Sequence, residues 1–209
     1  RYNTNGSLDS GFSGNGILTA PVGTGNDTIN AIALSPSGGS LVAAGMSAAA
    51  NGNESFAVAR ISSTGVLDTT FDGDGKTTTV MGNSDDFTRS VVVQPDGKTL
   101  VAGYSYVNTI AQFAVSRFNV DGSLDTTFGV GGKAVFPLRG IDDVGLGMTL
   151  QSDGKIVLVG YSNGSTTAAD FGVMRLTSSG ALDTTFGITG TGYTATDILG
   201  QSRSDTARS

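Results

Sequence analysis

The chain has 209 residues, 32 of them glycine, with no histidine, cysteine or tryptophan, and its 18 acidic against 12 basic side chains give a net charge of −6. Those absences exclude a Ser-His-Asp triad, an imidazole base, a thiolate nucleophile, a disulfide and a His- or Cys-ligated zinc. With Glu54 the single glutamate, Asp is the one recurrent carboxylate; Lys76, Lys98, Lys133 and Lys155 each stand alone after a glycine, so no basic stripe for nucleic acid forms in the sequence.

Self-similarity organises everything else. Arg1-Tyr-Asn-Thr-Asn-Gly6-Ser-Leu-Asp9-Ser-Gly-Phe12 returns as Arg60 to Phe71, as Arg117 to Phe128 and as Arg175 to Phe186. Gly6, Gly65, Gly122 and Gly180 are 59, 57 and 58 residues apart. A fixed period of this length signals a repeat architecture. In chain order, each period predicts four short strands. The first follows a Gly-rich turn, at 17–22, 76–81, 133–138 and 193–198. The second lies at 29–35, 89–94 or 146–151. The two-residue turns Gly38-Gly39, Asp96-Gly97 and Asp153-Gly154 then predict a hairpin, since such turns need positive φ at their centre. The third strand follows at 41–46, 99–105 or 156–162, continuously apolar and so expected to be buried on both faces. The fourth, at 56–61, 113–118 or 171–176, alternates: Phe113, Val115 and Arg117 share one face, Ala114 and Ser116 the other.

Four-stranded antiparallel units with one small-residue face suit propeller blades stacked closely on one another, with a sandwich or a linear array of small sheets as the alternatives. The expected fold is all-β, a β-propeller-like array of about three and a half repeats of 57–59 residues. It forms one repeat domain over 1–209, with units near 13–71, 71–128 and 129–186 and a partial unit at 187–209. No run approaches the ~20 apolar residues of a membrane span. The chain opens on Arg1-Tyr2-Asn3-Thr4 without an initiator Met or an apolar leader, as expected of a mature, processed or excised piece.

From Asp85 to Gly129 the sequence reads Asp-Asp, then Gln-Pro-Asp-Gly-Lys, Val-Ala-Gly-Tyr-Ser, Phe-Ala-Val-Ser-Arg and Asp-Gly-Ser-Leu-Asp-Thr-Thr-Phe-Gly, with copies on either side. This pattern resembles the delta-sixty repeat. The resemblance covers essentially the whole chain. It implies a β-propeller-like fold in large, mostly bacterial, secreted or surface proteins, and says little of activity.

Arg60, Arg117 and Arg175 recur with Asp68, Asp125 and Asp183. A ring of Arg-Asp sites around a channel is one reading; the preferred one is a repeated ion pair that fixes each turn, because a ligand site usually breaks repeat symmetry. Asp85-Asp86 and Asp142-Asp143, with weaker counterparts Asn26-Asp27 and Ser204-Asp205, are read as caps at strand entry, since neighbours on a strand point to opposite faces. Asp72-Gly73-Asp74-Gly75 resembles the start of a calcium loop but lacks the following Glu, so it is read as a Gly-rich turn with calcium as the alternative. Tyr104, Tyr106 and Tyr161 are aromatic groups able to stack on sugars, with packing as the commoner role.

No catalytic, cofactor-binding or metal-ligating residue is assigned. The expected function is a non-catalytic extracellular or cell-surface scaffold, adhesive or filament-forming, whose partner is itself: a second copy or a continuation of the same chain. A polysaccharide-binding propeller is the alternative, and an Asp-dependent glycosidase ranks third.

Overall fold

The computed structural model describes residues 1–36, 38–139, 141–164, 169–187 and 190–197. The end of the strand expected at 193–198, the Ile188-Thr189 turn, Ser204-Asp205 and most of the partial unit lie outside them. Among the described residues are twelve strands in three antiparallel four-stranded sheets, with no helix. The first sheet orders β1 (Asp27–Leu34), β2 (Leu41–Ala48), β3 (Glu54–Ile61) and β4 (Lys76–Thr79) side by side. The second repeats this with β5 (Asp86–Val93), β6 (Thr99–Val107), β7 (Ile110–Phe118) and β8 (Lys133–Phe136). The third does so with β9 (Asp143–Leu150), β10 (Ile156–Asn163), β11 (Ala169–Leu176) and β12 (Tyr193–Thr196). Among the described residues the sheets do not close into a ring.

The strand after each Gly-rich turn completes the preceding sheet instead of opening the next one. β4 runs back along β3, with Phe56 opposite Thr79 and Ala59 opposite Lys76. The Arg-to-Phe turn folds the chain over: Asp68 N donates to Arg60 O (2.9 Å), Gly75 N to Phe71 O (2.7 Å) and Arg60 N to Gly75 O (2.8 Å). The strand expected at 17–22 does not form.

Each innermost strand carries a bulge at an equivalent place. Asn30, Arg89 and Leu146 are the unpaired extra residues. Opposite them the backbone presses so close that a Cβ at Gly45, Gly103 or Gly160 would stand 1.7–1.9 Å from Thr28 O, Phe87 O or Val144 O. Only glycine admits that approach.

Sheets stack face to face, and the two faces differ. The front of the first sheet (Val42, Ala44, Phe56, Val58) packs on the back of the second (Val91, Val101, Ala114, Phe118). The front of the second (Leu100, Ala102, Phe113, Val115) packs on the back of the third (Ile156, Leu158, Met174, Leu176). Each large side chain fully buried in these junctions contributes roughly 1.5–3 kcal/mol. Both faces of the middle sheet are therefore core, which is why β7 is buried along most of its length despite its alternating sequence.

Candidate functional site

The six residues singled out as a repeated motif come together in pairs. Arg60 Nε donates to Asp68 (2.8 Å), Arg117 Nε to Asp125 (2.7 Å) and Arg175 Nε to Asp183 (2.7 Å), and Arg1 repeats the bond to Asp9 (2.7 Å). Each guanidinium also lies over the Phe that ends its turn: Arg60 over Phe71 at 5.0 Å, Arg117 over Phe128 and Arg175 over Phe186 at 4.7 Å. Asp68, Asp125 and Asp183 each accept, on the second oxygen, from the hydroxyl two residues on, as Asp125 does from Thr127 Oγ1 at 2.7 Å. Burial opposes ionisation of Asp125, but Lys98, Thr127 and Arg117 outweigh it and hold the carboxyl well below the usual range. At Asp183 the Thr185 hydroxyl leads in the same direction, and at Asp68 the Thr70 hydroxyl.

The same arginines staple one unit to the next, which sequence reading missed. Arg117 Nη1 donates to Ser178 O of the following turn (2.6 Å); Arg1 reaches Ser63 O and Arg60 reaches Val120 O in the same way. Backbone bonds run beside them, from Ser13 N to Thr64 O, Asp72 N to Asp121 O and Gly129 N to Ser179 O. The following turn offers a glycine to the preceding Phe. A Cβ at Gly65 would stand 2.8 Å from the Phe12 ring, and one at Gly180 the same distance from Phe128.

The paired carboxylates face apart. Asp86 accepts from Met81 N (2.7 Å), Gly82 N (3.1 Å) and Ser105 Oγ (2.6 Å), clamping the loop before its strand, while Asp85 accepts from Glu54 N of the preceding sheet (2.9 Å). Asp143 clamps Leu138 N (2.7 Å) and Ser162 Oγ in the same manner, and Asp142 accepts from Ala111 N (3.1 Å). Burial raises the Asp86 carboxyl against those hydrogen bonds. Asp74 accepts from Lys76 N (3.1 Å) within the Gly-rich turn, and Asp72 N donates to Asp121 O (2.6 Å). Among the described residues no three Asp or Glu side chains converge on a metal position.

Two features break the repeat. The first is aromatic. Phe87 and Tyr104 stack at 4.8 Å, Tyr106 stands edge-on to them at 6.1 and 6.0 Å, and Arg89 lies over Phe87 and Tyr104 at 5.8 and 5.5 Å. All four are half-buried. Tyr161 lies near enough to feel Tyr106 and Arg89, and burial raises both its phenol and that of Tyr104. The first sheet has Thr28, Asn30, Met46 and Ala48 at these places. Tyr104, Tyr106 and Tyr161 were legible in the sequence; Phe87 and Arg89 were signalled only by comparing Arg89 with Asn30 and Leu146 in the other units.

The second feature is an apolar groove of about 750 Å³ between residues 1–22 and the back of the first sheet, lined by Phe12, Leu18, Ile29, Ile32, Ala43 and Ile61. Ile29 and Ile32 are 68% and 63% exposed, whereas Val91, the counterpart of Ile32 in the second sheet, is 7% exposed.

Three stacked antiparallel four-stranded sheets, joined by one recurring turn, make the chain a β-propeller repeat protein. Segments 39–71, 94–128 and 151–186 match the β-propeller family described as a domain of unknown function, DUF5122. Each match begins between the first two strands of a sheet and ends on the Phe that the arginine covers. Comparison with curated proteins returns no match.

Proposed function

We propose that the chain is a non-catalytic scaffold, a surface or filament-forming module that works by docking onto repeats of its own kind. One observation carries this reading: the back of the first sheet exposes Ile29, Ile32 and Leu34, at 68%, 63% and 69%, where the other sheets bury the same face. A contiguous apolar face of this sort marks an association surface. The engagement of Asp85, Asp86, Asp142 and Asp143 with backbone groups supports a structural use of the carboxylates. An extracellular or cell-surface location rests on the resemblance to the delta-sixty repeat. Sedimentation velocity from micromolar to near-millimolar concentration tests the reading. Species heavier than 21.0 kDa that grow with concentration are expected, and a single 21.0 kDa species throughout would overturn self-association.

The aromatic cluster favours a second reading, a polysaccharide-binding module. Half-buried Phe87, Tyr104 and Tyr106 present ring faces of the kind that stack on sugars, with Arg89 supplying donors beside them. Affinity electrophoresis in gels cast with soluble polysaccharides checks it. Retardation relieved by Tyr106→Ala is the expected result, and free migration in every gel would remove the reading.

A further inference from the structure

The second sheet carries a cation that its own unit does not answer. Among the described residues Arg1, Arg60, Arg117, Arg139 and Arg175 each donate to an aspartate carboxylate. Arg89 does not. Its guanidinium reaches Thr88 O and Tyr104 Oη, both at 3.4 Å, the long limit of a hydrogen bond. The rings of Phe87 and Tyr104 hold it at 5.8 and 5.5 Å, so it is fixed in place while its donors lack acceptors at ordinary distance. A half-buried cation in this state loses hydration without compensation from a counter-ion.

Repeat packing does not account for it. Arg89 is the bulged residue of β5, where the other sheets place Asn30 and Leu146. In the first sheet that position serves the junction, since Asn30 Nδ2 donates to Thr88 O of the second sheet (3.1 Å). Arg89 makes no such bond to the third. Phe87 and Tyr104 are paired across β5 and β6, and Tyr106 stands two residues further along the same face. Leu100 and Ala102 on that face are 0% and 2% exposed beneath the third sheet. Tyr104 and Tyr106 are half-buried, so the face emerges from the junction at the rings. Here β6 and β7 run to nine residues, against eight in the equivalent strands, which carries the hairpin past Tyr106.

We infer that this cluster binds an acidic polysaccharide, with a sugar ring stacked on the aromatic faces and the carboxylate of a uronic acid residue on Arg89. The inference rests on the polysaccharide-binding reading and assigns its ligand class. The rings supply flat apolar contact for the C–H face of a sugar. The carboxylate supplies the acceptor that the guanidinium lacks, its two oxygens matching two N–H donors. A neutral glycan leaves the cation uncompensated. The net charge of −6 opposes a polyanion at long range, but screening over about 8 Å at physiological ionic strength confines the balance to the cluster itself. There Asp142, close enough to act on Tyr161, accepts from Ala111 N (3.1 Å) and makes no ion pair with Arg89.

Affinity electrophoresis of the whole chain supplies the test, in gels cast with polygalacturonate, alginate or hyaluronate. At least one of these polymers retards the chain. Its methyl-esterified form, which keeps the sugar and cancels the charge, binds roughly ten- to a hundredfold more weakly, the worth of a hydrogen-bonded charge. Arg89→Gln loses the same factor on the acidic polymer, and Arg89→Lys, with the charge but not the fork, recovers part of it. The acid–ester comparison is made on wild type, so it holds whatever Arg89→Gln does to folding. Tyr104, Tyr106 and Tyr161 are three of the five tyrosines in a chain without tryptophan, so tyrosine emission changes as the polymer binds. Equal binding of acid and ester, retardation by neutral polymers alone, equal retardation by dextran sulfate, or emission unchanged at saturation overturns the assignment of a uronate to Arg89. Each of those results leaves a polysaccharide-binding chain. Free migration in every gel, neutral or acidic, overturns both readings.

Discussion

Replacing Asp125 by Asn removes the carboxylate from the best-buried of the four Arg-Asp turns. Its side chain is 4% exposed and that of Arg117 10%, and Lys98 Nζ donates to the same oxygen as Arg117 Nε, each at 2.7 Å. The substitution leaves two cations facing a neutral amide. Breaking a buried pair by deleting one partner costs about 3–5 kcal/mol; Lys98, 30% exposed, can turn to water, which places this case near 3 kcal/mol. For a chain of this size that lowers Tm by roughly 6–12 °C. The equivalent Asp9→Asn sits beside an Arg1 side chain that is 41% exposed, where solvent screens the pair, and the midpoint stays within error of wild type. Differential scanning calorimetry of both variants at neutral pH gives the comparison. The direction of the Asp125 shift adds a pH signature. Its folded pKa is depressed below the ordinary carboxylate value of 3.8, so its contribution is complete above that value and declines as the pH falls through the folded pKa. The difference between wild type and Asp125→Asn should therefore be constant near neutrality and shrink only in strong acid. Equal costs for Asp125→Asn and Asp9→Asn, or a gap already closing at pH 6, would refute the assignment of the pair as the fixture of the turn.

Gly6 and Gly122 share a positive φ, +84° and +89°, but a Cβ at Gly6 meets nothing within 4 Å while one at Gly122 stands 2.6 Å from Asp72 N. Gly6→Ala is expected to cost about 1 kcal/mol from backbone conformation alone, and Gly122→Ala at least 2 kcal/mol more as the inter-unit contact opens; urea unfolding of the two variants reads the difference. Asp86 works in the opposite sense to Asp125. Its folded pKa is raised by burial, so the folded state holds the proton more readily and wild type gains stability as the pH falls through that pKa toward 3.8. Asp86→Asn should flatten that part of the stability-pH curve, and an unchanged slope would show that the carboxyl does not titrate there.

How much of this was legible in the sequence depends on how local the cause is. The Arg117-Asp125-Phe128 turn could be read because its members lie within twelve residues and recur with their spacing intact. The partner of each Gly-following strand could not. Lys76–Thr79 is strand-like in composition, but pairing it back onto β3 depends on the hydrogen bonds of the turn, not on any pattern within the strand. The bulge at Arg89 hid Phe87 as well. It shifts the alternation by one residue, so a strand read outward from Val91 starts late and leaves Asp86, Phe87 and Thr88 in a loop, although all three are paired with β6. The inter-unit staple from Arg117 to Ser178 spans 61 residues and has no local signal.

The inequality of the two faces gives the stack of sheets a direction. Here the front offers Phe56 and Val58 or Phe113 and Val115, and the back offers Ala57 and Ala59 or Ala114 and Ser116. A front fits only a back, so stacking has a direction. Any open stack then keeps one face of each kind, however many units it contains. The exposed Ile29 and Ile32 at one end and the half-buried Val159 and Phe171 at the other are the necessary remainder of that polarity. By the same logic a ligand site has to be sought where the polarity and the repeat say nothing, and the stack of Arg89 on Phe87 and Tyr104 is such a place, since no packing rule shared by the other two sheets calls for it.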